Sequence, residues 1–127
     1  MGNPISENIK IGTLGELLVQ TRLLQYGVQA APPIKDSGND LIAVKGEVFK
    51  GIQVKTTARG NLQWNSLPEH YHILALVSLA GEEDEIYLDA TSVFLVPRNE
   101  VQNVSPNNGS LEQFRICKGL VDELFNE

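Results

Sequence analysis

A chain of 127 residues, 42% hydrophobic and 20% charged, is long enough to bury its own core as one domain over residues 1–127 without disulfide staples. The net charge of −6 argues against non-specific coating of nucleic acid, and the single cysteine, Cys117, excludes an internal disulfide and points to a reducing compartment. No basic stretch followed by a long apolar run opens the sequence, and no apolar run approaches a membrane span, so a cytoplasmic location is expected.

In chain order, Leu14, Leu17, Leu18, Thr21 and Leu24 predict one apolar stripe on a first helix, which Gly27 ends. A short strand over 28–31 is stopped by Pro32-Pro33. The turn at 36–39 leads into a strand over 41–44; Lys45-Gly46-Glu47 turns the chain, and 48–57 forms the second arm of a hairpin. Residues 62–70 read as a strand around Trp64 followed by a helical turn at Ser66-Leu67-Pro68. The nearly continuous apolar run 71–79 predicts a buried central strand, and 85–90 another strand. An apolar stretch at 93–96, a short helix near 99–101 and an amphipathic helix over 111–125 complete the chain. The expectation is an α/β fold with a mixed central sheet and at least one helix on each side.

The chemistry concentrates between Asp40 and Lys55. Strand alternation sends Ile52 and Val54 to one face and Gln53 and Lys55 to the other. An antiparallel hairpin turning at Gly46 brings Asp40 level with Gln53. Mg²⁺ takes oxygen ligands from one or two carboxylates, waters and substrate phosphate. Asp40, the Gln53 side-chain oxygen and the Val54 carbonyl could supply the protein's share. Lys55 could then orient the attacking water or stabilise charge on the phosphorus-centred transition state. Glu16, on the first helix, could add a further acid. Thr13-Leu14-Gly15-Glu16 also fits a capping box, in which Glu16 folds back onto the Thr13 N–H, and from periodicity alone the cap is favoured.

The ordered set Gly15-Glu16, Asp40-Leu41-Ile42 and Ile52-Gln53-Val54-Lys55-Thr56-Thr57 resembles the PD-(D/E)xK nuclease superfamily, and within it the small restriction-endonuclease-like and Holliday-junction-resolvase-like members. The resemblance covers residues 12–57 and implies a restriction-endonuclease-like α-β-β-β-α-β core. It implies Asp40 as the motif aspartate, Lys55 as the motif lysine and Glu16 as the helix-borne acid, with Mg²⁺, or Mn²⁺ in its place, as cofactor. It further implies a metal-dependent endonuclease acting on duplex or branched DNA, and two sites in a homodimer would cut both strands. Asn39 stands where proline commonly precedes the aspartate. Gln53 stands where the family usually has Asp or Glu, which keeps an oxygen but removes a charge.

Residues 1–60 carry seven Lys/Arg against five Asp/Glu (+2), and residues 61–127 three against eleven (−8), so the motif lies in the basic half. Lys35, Lys50, Thr57, Arg59 and Asn61 flank the motif and are candidates to hold phosphates. Asp36 is an alternative to Asp40, though an acid opening a turn is usually structural. His70 and His72 share a strand face without an evident third ligand, and packing or surface roles suit them better than zinc. Cys117 and Trp64 read as core residues, and 82–85 as a solvated acidic turn. Two rivals stand beside the nuclease. One is a catalytically inactive accessory subunit of the same fold, binding a protein or nucleic acid. The other is an acidic interaction protein that pairs through its C-terminal half.

Overall fold

The computed structural model describes residues 2–35, 38–58, 62–82, 84–106 and 109–126. The first helix, α1 (Glu7–Gln25), begins at Ser6, whose hydroxyl accepts the Ile9 N–H at 3.2 Å, with Glu7 favourably placed in the first turn. The helix therefore starts well ahead of Thr13, and the expected capping box lies inside it. Its buried line is also rotated from the expected stripe. Gly15, Val19 and Leu23 are buried, whereas Leu17 and Leu24 are 51% and 63% exposed. Glycine is the cause: at Gly15 the helix approaches the sheet so closely that a Cβ would collide with the Thr56 side chain. That contact fixes which side of α1 faces inward. Fully burying Val19 and Leu23 then contributes about 1.5–3 kcal/mol each.

Five strands form the main sheet in the order β1 (Gln29–Ala31), β2 (Leu41–Lys45), β3 (Val48–Thr57), β4 (Ile73–Ser78) and β7 (Ser92–Pro97). All neighbours are antiparallel except β3 and β4. The β2–β3 hairpin closes through Gly46-Glu47, and Gly46 at φ 61° supplies the positive dihedral that a type II′ turn needs at its first central position. The pairing Leu41↔Ile52 sets the register of the hairpin. Parallel β3 and β4 require a crossover, which runs through residues 58–72. Among the described residues this crossover has no regular element, so the strand expected around Trp64 and the turn after it do not form. Ser66 at φ 56° and Pro68 interrupt helical geometry there.

The mixed α/β sheet has its two faces covered differently. Both α-helices pack on one face, where Val19 and Leu23 of α1 and Val121 of α2 (Lys118–Leu124) meet Leu41, Ala43, Ile52, Ile73 and Leu95. The opposite face, led by Leu74, Leu76, Phe94 and Val96, lies under the crossover and under 3₁₀ segments at Arg98–Asn103 and Glu112–Phe114. Trp64 packs here, half-buried. An α-helix on each side, as expected from the sequence, is thus replaced by α-helices on one side and 3₁₀ turns on the other.

Central β4 is buried on both faces. The free edge of β7 is met by a bridge from Phe94 to Arg115 and by the Ile116 N–H donating to Val93 at 2.9 Å. Holding residues 115–116 extended divides the helix expected over 111–125 into a 3₁₀ turn and the short α2. Cys117, expected in the core, is exposed, and its Sγ accepts the Leu120 N–H at the start of α2. The strand expected over 85–90 is likewise shorter: β6 (Glu85–Ile86) pairs with β5 (Gly81–Glu82), and a 3₁₀ turn follows at Leu88–Ala90.

Candidate active site at the end of β2

β2 begins at Leu41, while β3 runs on beside it to Thr57 and so leaves a notch along the β3 edge. Asp40 sits in that notch. Its N–H donates to the Ile52 carbonyl at 3.0 Å, and its Oδ2 accepts the Val54 N–H at 2.8 Å. The carboxylate thereby serves as the acceptor that a longer β2 would have provided. Because both backbone groups of a strand residue point the same way, the Val54 carbonyl faces this edge too. Above the notch stands Glu16, half-buried on α1 and carried there by the close contact between Gly15 and Thr56. Burial first, and the Asp40 charge second, hold the Glu16 carboxyl above the ordinary glutamate range. Its place in the middle of α1 removes the capping role that the sequence favoured.

Ile52 and Val54 enter the core, and Gln53 and Lys55 occupy the other face of β3, both half-buried. The hairpin register puts Gln53 level with Asp40, one step beyond the Leu41↔Ile52 pair. Lys55 follows on the same face. The Gln53 Oε1 is shielded from solvent and has no hydrogen-bond partner. An orphaned buried acceptor of that kind is uncommon and calls for a physical cause. Among the described residues, Glu16, Asp40 and Lys55 take part in no salt bridge. No group of three or more His, Cys, Asp or Glu side chains suited to a metal is found among them either. The oxygens at the notch are instead two carboxylates, one amide oxygen and one backbone carbonyl. An all-oxygen set fits a hard divalent cation better than a thiophilic one.

The residues expected to hold phosphates are dispersed. Lys35 is exposed ahead of the hairpin, and Lys50 is half-buried in β3 beside Asn39, His72 and Arg98. Thr57 lies at the far end of β3, in a cleft shared with Glu82 and Asp84. Asp36, Arg59 and Asn61 fall outside the described residues. Sequence reasoning named Asn39 only as standing in the place of a proline and did not single out Arg98; the Asn39 side chain occupies the space beside Gly51. His72 was read as a packing or surface residue. It is exposed, and its Nδ1 accepts the Gly51 N–H at 2.9 Å. Only the antiparallel pairing Ile73↔Pro97 brings the residues just outside β4 and β7 to one end of the sheet. No local sequence pattern announces that pairing.

No protein-family model matches this chain, and no curated protein matches it in sequence. Its structure is similar to that of a bacterial homing endonuclease, I-Ssp6803I, with a TM-score of 0.52 and 18% sequence identity, over 83% of this chain and 72% of that one. At this identity the likeness is one of fold. The chain has a nuclease-like fold.

Proposed function

We propose that the chain is a metal-dependent DNA endonuclease of the PD-(D/E)xK type, hydrolysing phosphodiester bonds with Mg²⁺, or with Mn²⁺ in its place. The supporting observation is the juxtaposition of Asp40 and Glu16, two carboxylates at one notch, with the unpartnered Gln53 Oε1 level with Asp40. A divalent cation would relieve the repulsion between the acids and give the amide oxygen a partner. Asp40, Gln53 and the Val54 carbonyl would hold it, with Glu16 beside them. When bound, such an ion supplies Lewis-acid polarisation of the phosphate and lowers the pKa of water. The remaining work falls to the chain itself. Lys55 donates to the phosphate and stabilises charge that grows as the P–O bond breaks. Glu16 orients the attacking water, and the Val54 N–H fixes the direction of the Asp40 carboxylate. Cutting both strands of a duplex or branched DNA takes two such sites, which a homodimer would supply.

The test is cleavage of supercoiled plasmid, linear duplex, single strand and four-way junction with Mg²⁺ or Mn²⁺, for wild type, Asp40→Ala and Lys55→Ala. Cutting that needs metal and disappears in both variants supports the endonuclease. A specific observation favours a second reading: Gln53 brings no charge where the resembled motif has a carboxylate. A folded wild type that neither cuts nor binds Mn²⁺ by calorimetry would identify a catalytically inactive accessory subunit.

A further inference from the structure

Two open spaces lie near opposite ends of β3 and β4, and their charges are opposite. The larger, about 860 Å³, is lined by Glu7, Lys10, Glu82, Asp84 and Glu85, with Thr56 at its floor. Its one lysine is already engaged, since the Lys10 ammonium lies 3.3 Å from Asp84 and 3.4 Å from Glu7. The smaller, about 690 Å³, is a groove at the start of β4 and the end of β7, lined by Asn39, Lys50, His70, His72, Arg98 and Gln102, among others. No carboxylate lines it among the described residues. In a chain with a net charge of −6, an acid-free groove holding two cations and two imidazoles stands out.

Resting on the nuclease reading above, we propose that this groove binds the nucleic-acid backbone next to the phosphate being cut, through Lys50, Arg98 and His72. Connection to the notch comes from the fold. Asn39, in the groove wall, directly precedes Asp40. Gly51 shares the face of β3 that carries Gln53 and Lys55. The parallel register sets Ile52 beside Ile73, so His72 flanks Gly51, to which it is tied twice: by Gly51 N–H to Nδ1 and by its own N–H to the Gly51 carbonyl. The Arg98 N–H in turn donates to the His72 carbonyl at 2.9 Å. A continuous path of backbone-anchored groups therefore runs from the notch to Arg98.

The groups have the chemistry a phosphodiester needs. Lys50 and Arg98 enter no salt bridge among the described residues, so neither charge is already neutralised. The Arg98 guanidinium lies over the Tyr71 ring, 5.4 Å from its centre, which restrains the side chain while leaving its N–H groups available. With Nδ1 of His72 accepting from Gly51, the neutral ring carries its proton on Nε2, a donor for a phosphate oxygen. The Asn39 Oδ1, shielded and without a partner, shows that the junction of groove and notch is not closed by the protein's own hydrogen bonds. The acidic cleft at the other end repels a polyanion, so the strand has one favourable direction away from the notch.

Binding of a fluorescein-labelled duplex, measured by anisotropy in EDTA across a salt series, tests the groove apart from the chemistry. Lys50→Ala and Arg98→Ala should each weaken binding several-fold and flatten the log–log salt slope by about 0.9 per lost contact. Arg98→Lys should restore much of the slope, and Lys118→Ala on α2 should change nothing. His72→Ala should weaken binding without changing the slope. Groove variants that melt like wild type and bind with wild-type affinity and slope would overturn the groove and leave the metal site standing. Groove-dependent binding by a protein that never cuts would uphold the groove and sink the endonuclease. Failure of the wild type to bind the duplex would overturn the groove, while the cleavage panel with metal decides the endonuclease separately.

Discussion

The two faces of β3 pass through the same ten residues and obey opposite rules. On one face Ile52 and Val54 are buried beneath α1, and at Gly15 the helix comes so close to Thr56 that no side chain fits between them; the Thr56 Oγ1 there is shielded and without a partner. On the other, Gln53 and Lys55 are half-buried polar groups beyond the buried Gly51, and the shielded Gln53 Oε1 has no partner. The packed face fixes where α1 lies and therefore where Glu16 stands. The polar face holds groups whose hydrogen bonds the protein itself does not complete. Packing on one side positions the polar groups of the other, so the two sides should respond to substitution in different measurements.

The largest divergence is expected from Asp40→Asn. The amide keeps an oxygen for the Val54 N–H, so thermal stability should change little, while cleavage should fall by at least about 10²–10³-fold. Parallel loss of melting temperature and activity would mean that the carboxylate is chiefly structural. Leu23→Ala, on the packed side, should do the reverse. It should cost about 2–5 kcal/mol in urea unfolding and leave the kcat of the folded fraction close to wild type. Gln53→Glu should tighten Mn²⁺ binding about tenfold by calorimetry, because ligand charge count sets affinity at oxygen sites; unchanged affinity would remove Gln53 from the ligand set.

Glu16 gives a smaller, pH-dependent effect. Its folded pKa is raised, so folding favours the protonated carboxyl. The resulting stability is fully present below the unfolded pKa and is lost as pH rises through the raised folded value. Relative to Glu16→Gln, the wild type should lose melting temperature across and just above the usual glutamate range, and Mn²⁺ should narrow the gap. A pH-independent difference would show that Asp40 and burial do not act on this carboxyl. Leu17→Ala should do least, within about 0.5 kcal/mol, because Leu17 faces outward.

Leu17 also marks where sequence reading stops. The hairpin was legible because it is local: alternation in 48–57 and Gly46 at the turn set both the strand and the facing of its residues. The buried run 71–79 marked β4 for the same reason. The buried side of α1 was not legible, because Gly15 has no hydrophobicity to register and acts only through a strand some forty residues away. Nor was the division of the last helix, since Arg115 and Ile116 are drawn out by the edge of β7. In the candidate site, the neighbours Asp40, Gln53 and Lys55 follow from one hairpin. Freeing Glu16 from a capping role required knowing that α1 begins at Ser6. Arg98 and His72 meet only through the β4–β7 pairing, which no short-range pattern encodes.

The closure of the β7 edge by residues 115–116 has a counterpart at the other end of the sheet. There β1 is three residues long and runs into Pro32 and Pro33, one of which would have to supply a backbone donor that proline lacks. A strand adding at either margin of the main sheet would find few free backbone groups to pair with, which disfavours edge-to-edge stacking of copies.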